Sequence, residues 1–245
     1  AAQAVASAVR HLSQREAGFE RAALYKAALD FGLPTTIGHV EQRTRALVAA
    51  GHLIEGKDDH KGWLASRDAV ETEQRILAEV ANGKGAIATE LAKEEASAEI
   101  GHGFRLNEGQ LGAARLILTS ADRTVAVQGV AGAGKSSVLK PVAQVLHEEG
   151  HPVIGLAIQN TLVQMLERDT GIPSQTLARF LKSWERLLED PGNPALRKEA
   201  SGPLTGKVLV LDEASMVSND EKEKLVRLAN LAEVHRLVLV GDRKQ

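Results

Sequence analysis

Cysteine is absent from the 245 residues, which excludes disulfides, thiolate nucleophiles and cysteine zinc sites and is compatible with a reducing compartment. Aromatic residues make up only 3%, so any stacking on nucleic-acid bases must rest on very few side chains. An excess of one charge is missing too. A formal net charge of −2 supplies no global positive field toward nucleic acid or an anionic membrane, although a local cleft could still bind nucleic acid. No apolar run approaches the roughly 18 residues of a membrane span. The opening AAQAVASAVRHL lacks a signal-peptide layout. A cytoplasmic location without membrane insertion is therefore expected. What is present, 43% hydrophobic and 25% charged residues, is ordinary for a globular chain of one or two domains. Both ends read as interior sequence: the first residues resemble the middle of a helix, and the last follow directly on the strand-like LVLVG. A piece of a longer protein is the expectation.

Two blocks emerge, with a seam near residues 100–106, and the division expected is 1–100 and 101–245. In the first, Ser13 and Glu16 have capping-box spacing, so residues 13–31 read as one or two short helices closed by Gly32. Pro34 and Thr36 open another helix, with Ile37, Val40, Leu47 and Val48 on one face and Gly51 as its stop. HLIEG and GWLAS, separated by the charged KDDHK, signal a hairpin. Helix, helix, helix, hairpin is the order of a winged helix–turn–helix. Further helices are expected over residues 69–81 and 89–99. In the second block strands and helices alternate: strands TVAVQG, PVIGLA, KVLVLDE and RLVLVG, and helices over 136–149, 161–169, 176–189 and 220–231. Apolar strands alternating with helices imply an α/β domain whose parallel sheet is covered on both faces.

GVAGAGKS, residues 129–136, fits the phosphate-loop pattern G-x-x-x-x-G-K-[ST] between an expected strand and helix. Phosphate oxygens need several converging backbone N–H donors. Gly129, Gly132 and Gly134, with Ala133 between the last two, let the chain curl closely enough, and the following helix adds its dipole. Lys135 can reach the β- and γ-phosphates, the Ser136 hydroxyl can ligate magnesium, and Ser137 completes the first turn. A chance match in this length has odds on the order of 1%. VLVLDEAS places Asp212 and Glu213 at the carboxyl end of an apolar strand, where open α/β sheets bind ligands. Asp212 suits magnesium and Glu213 suits polarising a water; an acidic helix cap is the plainer alternative. LVLVGDRKQ repeats the geometry and ends on Gln245, whose amide could sense a γ-phosphate. LNEGQ caps a helix leading into the first strand. Its Gln110 offers both donor and acceptor to an adenine edge, or is simply an exposed residue of an Asn-capped helix.

Taken in order, LNEGQ, GVAGAGKS, VLVLDEASM and VLVGDRKQ resemble superfamily 1 DNA helicases, most nearly the RecD-like group that includes the helicase part of TraI-type conjugative relaxase–helicases. VIGLA followed by a helix and IPSQTLARFL adds to the likeness. HLSQREAGF and LVAAGHLIEG look like the segment preceding the motor in those proteins. The resemblance implies a first RecA-like motor domain over 101–245 with ATP and Mg2+ as cofactors. Gln110 would lie on adenine, residues 129–137 on the phosphates, and Ser136 and Asp212 on the metal. Lys135, Asp212, Glu213 and Gln245 would be the catalytic set. It also implies 5′-to-3′ movement on single-stranded DNA, with other conjugation or secretion proteins as further partners.

The sequence departs from the pattern in places. Ala157 is followed by Ile158, Gln159 and Asn160 where the family usually has Ala-Pro-Thr. Motifs of a second motor domain, with its arginine finger, are not found, so efficient turnover is expected only of a longer protein. Nor is a nicking constellation found: Tyr25 lies in an expected helix and reads as core, and the eight histidines show no close ligand spacing, with His39, His52 and His60 read as surface residues. No Asn-Lys-x-Asp motif supports a GTPase, and the Gly-Asp-x-x-Gln ending favours a helicase over an AAA+ ATPase. The competing class is a binding module that grips single-stranded DNA or a protein without turnover. Residues 1–70 are nearly balanced in charge, with nine Lys/Arg against eight Asp/Glu, and Arg43 and Arg45 could be only a solvated face. Trp63 reads as core packing or as a stacking platform, and Trp184 as core.

Overall fold

Alternation within the strands decides which helices cover which face of the main sheet. In the computed structural model, which describes residues 1–13, 18–88, 106–129 and 134–242, strands β4 (Thr124–Gln128), β5 (Val153–Ala157), β6 (Ser174–Thr176), β7 (Val208–Leu211) and β8 (Arg236–Gly241) form one sheet. Its order is β4-β8-β7-β5-β6 and every pairing is parallel. Successive side chains of a strand point to opposite faces. Val208, Val210, Val238 and Val240 therefore join one buried cluster, with Ile117, Val142 and Leu166 from helices α5 (Glu108–Thr119), α6 (Lys135–Glu148) and α7 (Asn160–Thr170). Leu209, Leu211 and Leu237 join the other, with residues of α8 (Leu177–Ser183), α9 (Glu185–Glu189), α10 (Pro194–Leu204) and α11 (Asn219–Leu231). The expected α/β fold with a parallel sheet covered on both faces is borne out.

The chain divides into two compact units, residues 1–77 with 218–223, and residues 78–217 with 224–245. In the first, α1 (Ala2–Ser13), β1 (Gly18–Glu20), α2 (Arg21–Leu29), α3 (Ile37–Ala49), β2 (Leu53–Glu55) and β3 (Trp63–Ser66) follow one another. Helix α4 (Arg67–Asn82) begins directly after β3. The strands form an antiparallel sheet of order β1-β3-β2 around a core that includes Val5, Phe19, Leu24, Val40 and Leu64. This is the expected helix–helix–helix–hairpin order with one added strand. Ser13 closes α1 rather than capping a new helix, while Glu16 lies outside the described residues. Phe19 instead enters the core opposite Leu64, pulling its segment into β1.

Helix α3 begins where expected, with Thr36 accepting a hydrogen bond from the His39 N–H, and Gly51 follows it at φ +74°. Ile37, read as part of the apolar face, is 61% exposed; the buried positions are Val40 and Thr44, one turn further on. Tyr25 packs against the core, whereas Trp63 is exposed and meets His60 edge-on at 6.3 Å. The helix expected over 176–189 is interrupted: β6 occupies Ser174–Thr176, and Trp184 takes a non-helical backbone between α8 and α9 while packing against the core. The helix expected over 89–99 lies outside the described residues.

Candidate nucleotide site

Strand order places the phosphate-loop strand β4 and the carboxylate-bearing strand β7 on either side of β8. Neighbouring strands lie about 4.8 Å apart, so the ends of β4 and β7 stand about 10 Å from each other with β8 between them. At that edge the Gly129 N–H donates to the Gly241 carbonyl at 3.1 Å, tying the start of the loop to the end of β8. Behind Gly241 stands Ser215, whose backbone nitrogen would lie 3.4 Å from a Cβ at position 241. The Ser215 hydroxyl is buried without a hydrogen-bond partner. Asp242, just beyond β8, is only 6% exposed.

Gly134 is the N-cap of α6 at φ +73° and ψ +42°, a left-handed conformation that side chains with a Cβ pay to adopt. A Cβ there would also stand 2.6 Å from Gln110 Nε2 and 3.4 Å from Ser137 Oγ. Gln110, 24 positions earlier, is thus brought directly over the end of the loop. A capping box holds it: the Gln110 N–H donates to Asn107 Oδ1 at 2.9 Å, and the Asn107 N–H donates to Gln110 Oε1 at 3.0 Å. One acceptor position of the amide is engaged in that box. Beside it a cavity of about 240 Å³ opens between α5 and the sheet, lined by Gln110, Ala113, Val127, Val138, Leu139 and Val240 among others.

Lys135 and Ser136 open α6, followed by Ser137. Gly132, Ala133 and Gln245, like the Lys135 side chain, lie outside the described residues. Asp212 follows β7, its N–H donating to the Leu156 carbonyl and its Oδ1 accepting from the Glu213 N–H, both at 2.9 Å. Glu213 has φ +51° and ψ +42°, a left-handed backbone on a non-glycine residue at a half-buried position. Such strain persists where the surroundings over-determine it, often at functional positions. Beyond Ala157, Gln159 is the N-cap of α7 without a side-chain capping bond. No cluster of three or more His, Asp or Glu fit to hold a metal occurs among the described residues. The cradle suits a nucleotide phosphate: a left-handed glycine, a helix N-terminus, and carboxylates across β8.

Sequence reasoning missed the opposite edge of this sheet. His151 and His235 stack there at 3.6 Å with planes 16° apart, and His151 Nδ1 lies 2.7 Å from the Gly206 carbonyl. Burial, reinforced by His151, Arg236 and Arg123, pushes His235 down to about 4. Arg236 is 1% exposed, and burial lowers it to about 10. A charged residue opening an apolar strand, RLVLVG, was the visible signal. Helix α10 was missed as well, although Asn193 followed by Pro194 is a cap followed by an N1 proline.

Strand order, glycine-rich turn and paired carboxylates together define a P-loop nucleotide-binding domain. A family model described as an AAA domain matches residues 105–245, and the chain belongs to that family. Among curated relatives, the multifunctional conjugation protein TraI of Escherichia coli (strain K12) is 32% identical over 188 residues, covering 75% of this chain and 10% of TraI. The probable conjugal transfer protein TraA of Sinorhizobium fredii is 35% identical over 153 residues, 62% of this chain and 13% of that protein. The conjugal transfer protein TraA of Agrobacterium fabrum is 32% identical over 149 residues, 61% and 12%. The chain thus spans roughly a tenth of the length of these relatives. The likeness to TraI-type relaxase–helicases read from the motifs is borne out. It extends into the N-terminal part, since the TraI match covers more of the chain than the family region does.

Proposed function

We propose that residues 101–245 are the first RecA-like motor domain of an ATP-dependent DNA helicase or translocase, working 5′-to-3′ on single-stranded DNA within a conjugative relaxase–helicase. The observation that carries this reading is the convergence at one sheet edge of Gly134, Gln110 and the Asp212–Glu213 pair, with β8 between the two chemical strands. Gly129, Gly132, Ala133, Gly134, Ser136 and Ser137 bind the phosphates of ATP through backbone and hydroxyl groups, and Lys135 neutralises their charge. Ser136 and Asp212 hold Mg2+, which when bound offsets phosphate charge. Glu213 orients and polarises the attacking water, and Gln245 relays the γ-phosphate to the DNA track. Gln110 reads the adenine edge. The helix–hairpin part of residues 1–100 forms an accessory winged-helix domain, and the protein acts in the cytoplasm beside other conjugation or secretion proteins.

The test is the full-length protein's DNA-stimulated ATPase. Loss of activity in Lys135→Ala and Glu213→Gln, by at least about 100-fold each, is the expected result; unchanged turnover in both removes the reading. A second reading, a non-hydrolysing single-stranded DNA or protein binding module, draws support for residues 1–100 from the exposure of Leu29, Phe31, Leu33 and Ile37. It predicts salt-sensitive oligonucleotide binding without nucleotide if DNA is the partner. Failure to bind at low salt leaves only its protein-binding form.

A further inference from the structure

Arg236 opens β8, the strand between the two chemical strands, yet its side chain is directed along the opposite edge of the sheet. Its Nη1 donates to the Asp122 carbonyl at 2.9 Å and its Nη2 to the Ser120 carbonyl at 2.6 Å. Ser120 is the C-cap of α5. A buried guanidinium therefore forks onto the turn that ends this helix, where the helix dipole is negative. The same turn is gripped from other sides. The Gly85 N–H donates to Asp122 Oδ1 at 2.9 Å, the Ile87 N–H to the Ala121 carbonyl at 2.9 Å, and the Arg123 N–H to the Gly83 carbonyl at 2.8 Å. Arg123 in turn donates through Nη1 to the Val234 carbonyl, two residues before Arg236. The far end of α5 carries the Asn107–Gln110 capping box, which sets Gln110 over Gly134.

We propose that Arg236 is a positioning residue for nucleotide-base recognition: by fixing the C-terminal end of α5 to β8, it sets the height and tilt at which Gln110 meets the end of the phosphate loop. The inference rests on the reading of Gln110 as the adenine contact. Helix α5 is a strut, with Gln110 and Ser120 about 15 Å apart along its axis. A tilt of a few degrees at one end moves the other by about 1 Å, enough to spoil a hydrogen bond to a base edge. Phosphate binding depends on the loop that leaves β4 and on the start of α6, so it should be largely insensitive to this tilt. Lysine in place of Arg236 keeps a charge but cannot fork onto two carbonyls. Glutamine loses the charge and keeps a donor.

The experiment is titration calorimetry of the 245-residue chain with ATP and with inorganic tripolyphosphate, both with magnesium, on wild type, Arg236→Lys and Arg236→Gln. Thermal melting establishes that each protein is folded. Expected is about a tenfold weaker ATP affinity in a folded Arg236 variant, with tripolyphosphate affinity within twofold of wild type. In a Gln110→Ala background the same substitution should cost less than twofold further. Retention of full ATP affinity, equal loss of both ligands, or a full additional loss on top of Gln110→Ala overturns the proposal. If neither Arg236 variant folds, Arg236 is a requirement of folding and the positioning role is likewise overturned. Separately, Gln110→Ala with undiminished ATP affinity removes the adenine reading beneath it, whatever the Arg236 variants do.

Discussion

Substituting Gly134 by alanine perturbs the candidate site at a single backbone position with two separable costs. The residue sits at φ +73° and ψ +42°, where a Cβ approaches the following carbonyl at about 1–2 kcal/mol. The new methyl would also stand 2.6 Å from Gln110 Nε2. That amide is the end of a flexible side chain and can retreat, but its Oε1 is bonded to the Asn107 N–H, so retreat loosens a capping box of about 1 kcal/mol. Together these give a loss of about 2 kcal/mol, or roughly 4–8 °C in Tm for a unit of this size. Scanning calorimetry of Gly134→Ala beside Gly134→Asn measures it. Asparagine tolerates the left-handed region better and keeps the steric conflict, so it should lose about half as much. An alanine variant melting within 1 °C of wild type would refute the left-handed cap. Equal losses in the two variants would place the whole cost in the contact with Gln110.

Three further outcomes are expected. His235 has a folded pKa near 4 against an ordinary value of 6.5, so its contribution to stability is complete above about pH 6.5 and declines as pH falls toward 4. The unscreened loss is about 3 kcal/mol, and exposure of part of the ring reduces it to about half. Denaturant titrations at pH 7 and pH 5 should show a smaller pH dependence in His235→Gln than in wild type, and identical slopes would contradict the assignment. Gly155→Ala should destabilise the domain by about 1–3 kcal/mol, because a Cβ would lie 2.1 Å from Ser174 Oγ and 2.8 Å from Leu166 Cδ2; Ser174→Gly should restore part of that in urea unfolding. Asn107→Ala should cost about 1 kcal/mol and weaken ATP binding, read by melting and calorimetry, whereas loss of stability with intact affinity would separate the cap from the base contact.

Four strands of the main sheet, β4, β5, β7 and β8, were legible because each is a short apolar run bounded by turn residues, and their parallel pairing followed from the helices between them. The polar edge strand β6, Ser-Gln-Thr, carries no such run and was missed. Misreadings fell where a local signal competed with a distant partner. Ser13 and Glu16 have the spacing of a helix start, but Phe19 is drawn into a strand by Leu64, 45 positions away. Ile37 fits the apolar face of α3 by periodicity, yet the packed face begins at Val40, and Trp63 stands on the exposed side of its hairpin.

By itself the sequence determined the chemical inventory: a phosphate loop, two carboxylates after an apolar strand, and a glutamine ahead of both. Fixed spacing carries that information because loop and helix geometry are set by residues a few positions apart. Only the tertiary structure decided that β8 lies between β4 and β7, that Gln110 overhangs Gly134, and that Arg236 holds the other end of the same helix. Those relations join residues 24 to 116 positions apart. They depend on strand order and on the burial of a charge, neither of which leaves a periodic trace in the chain.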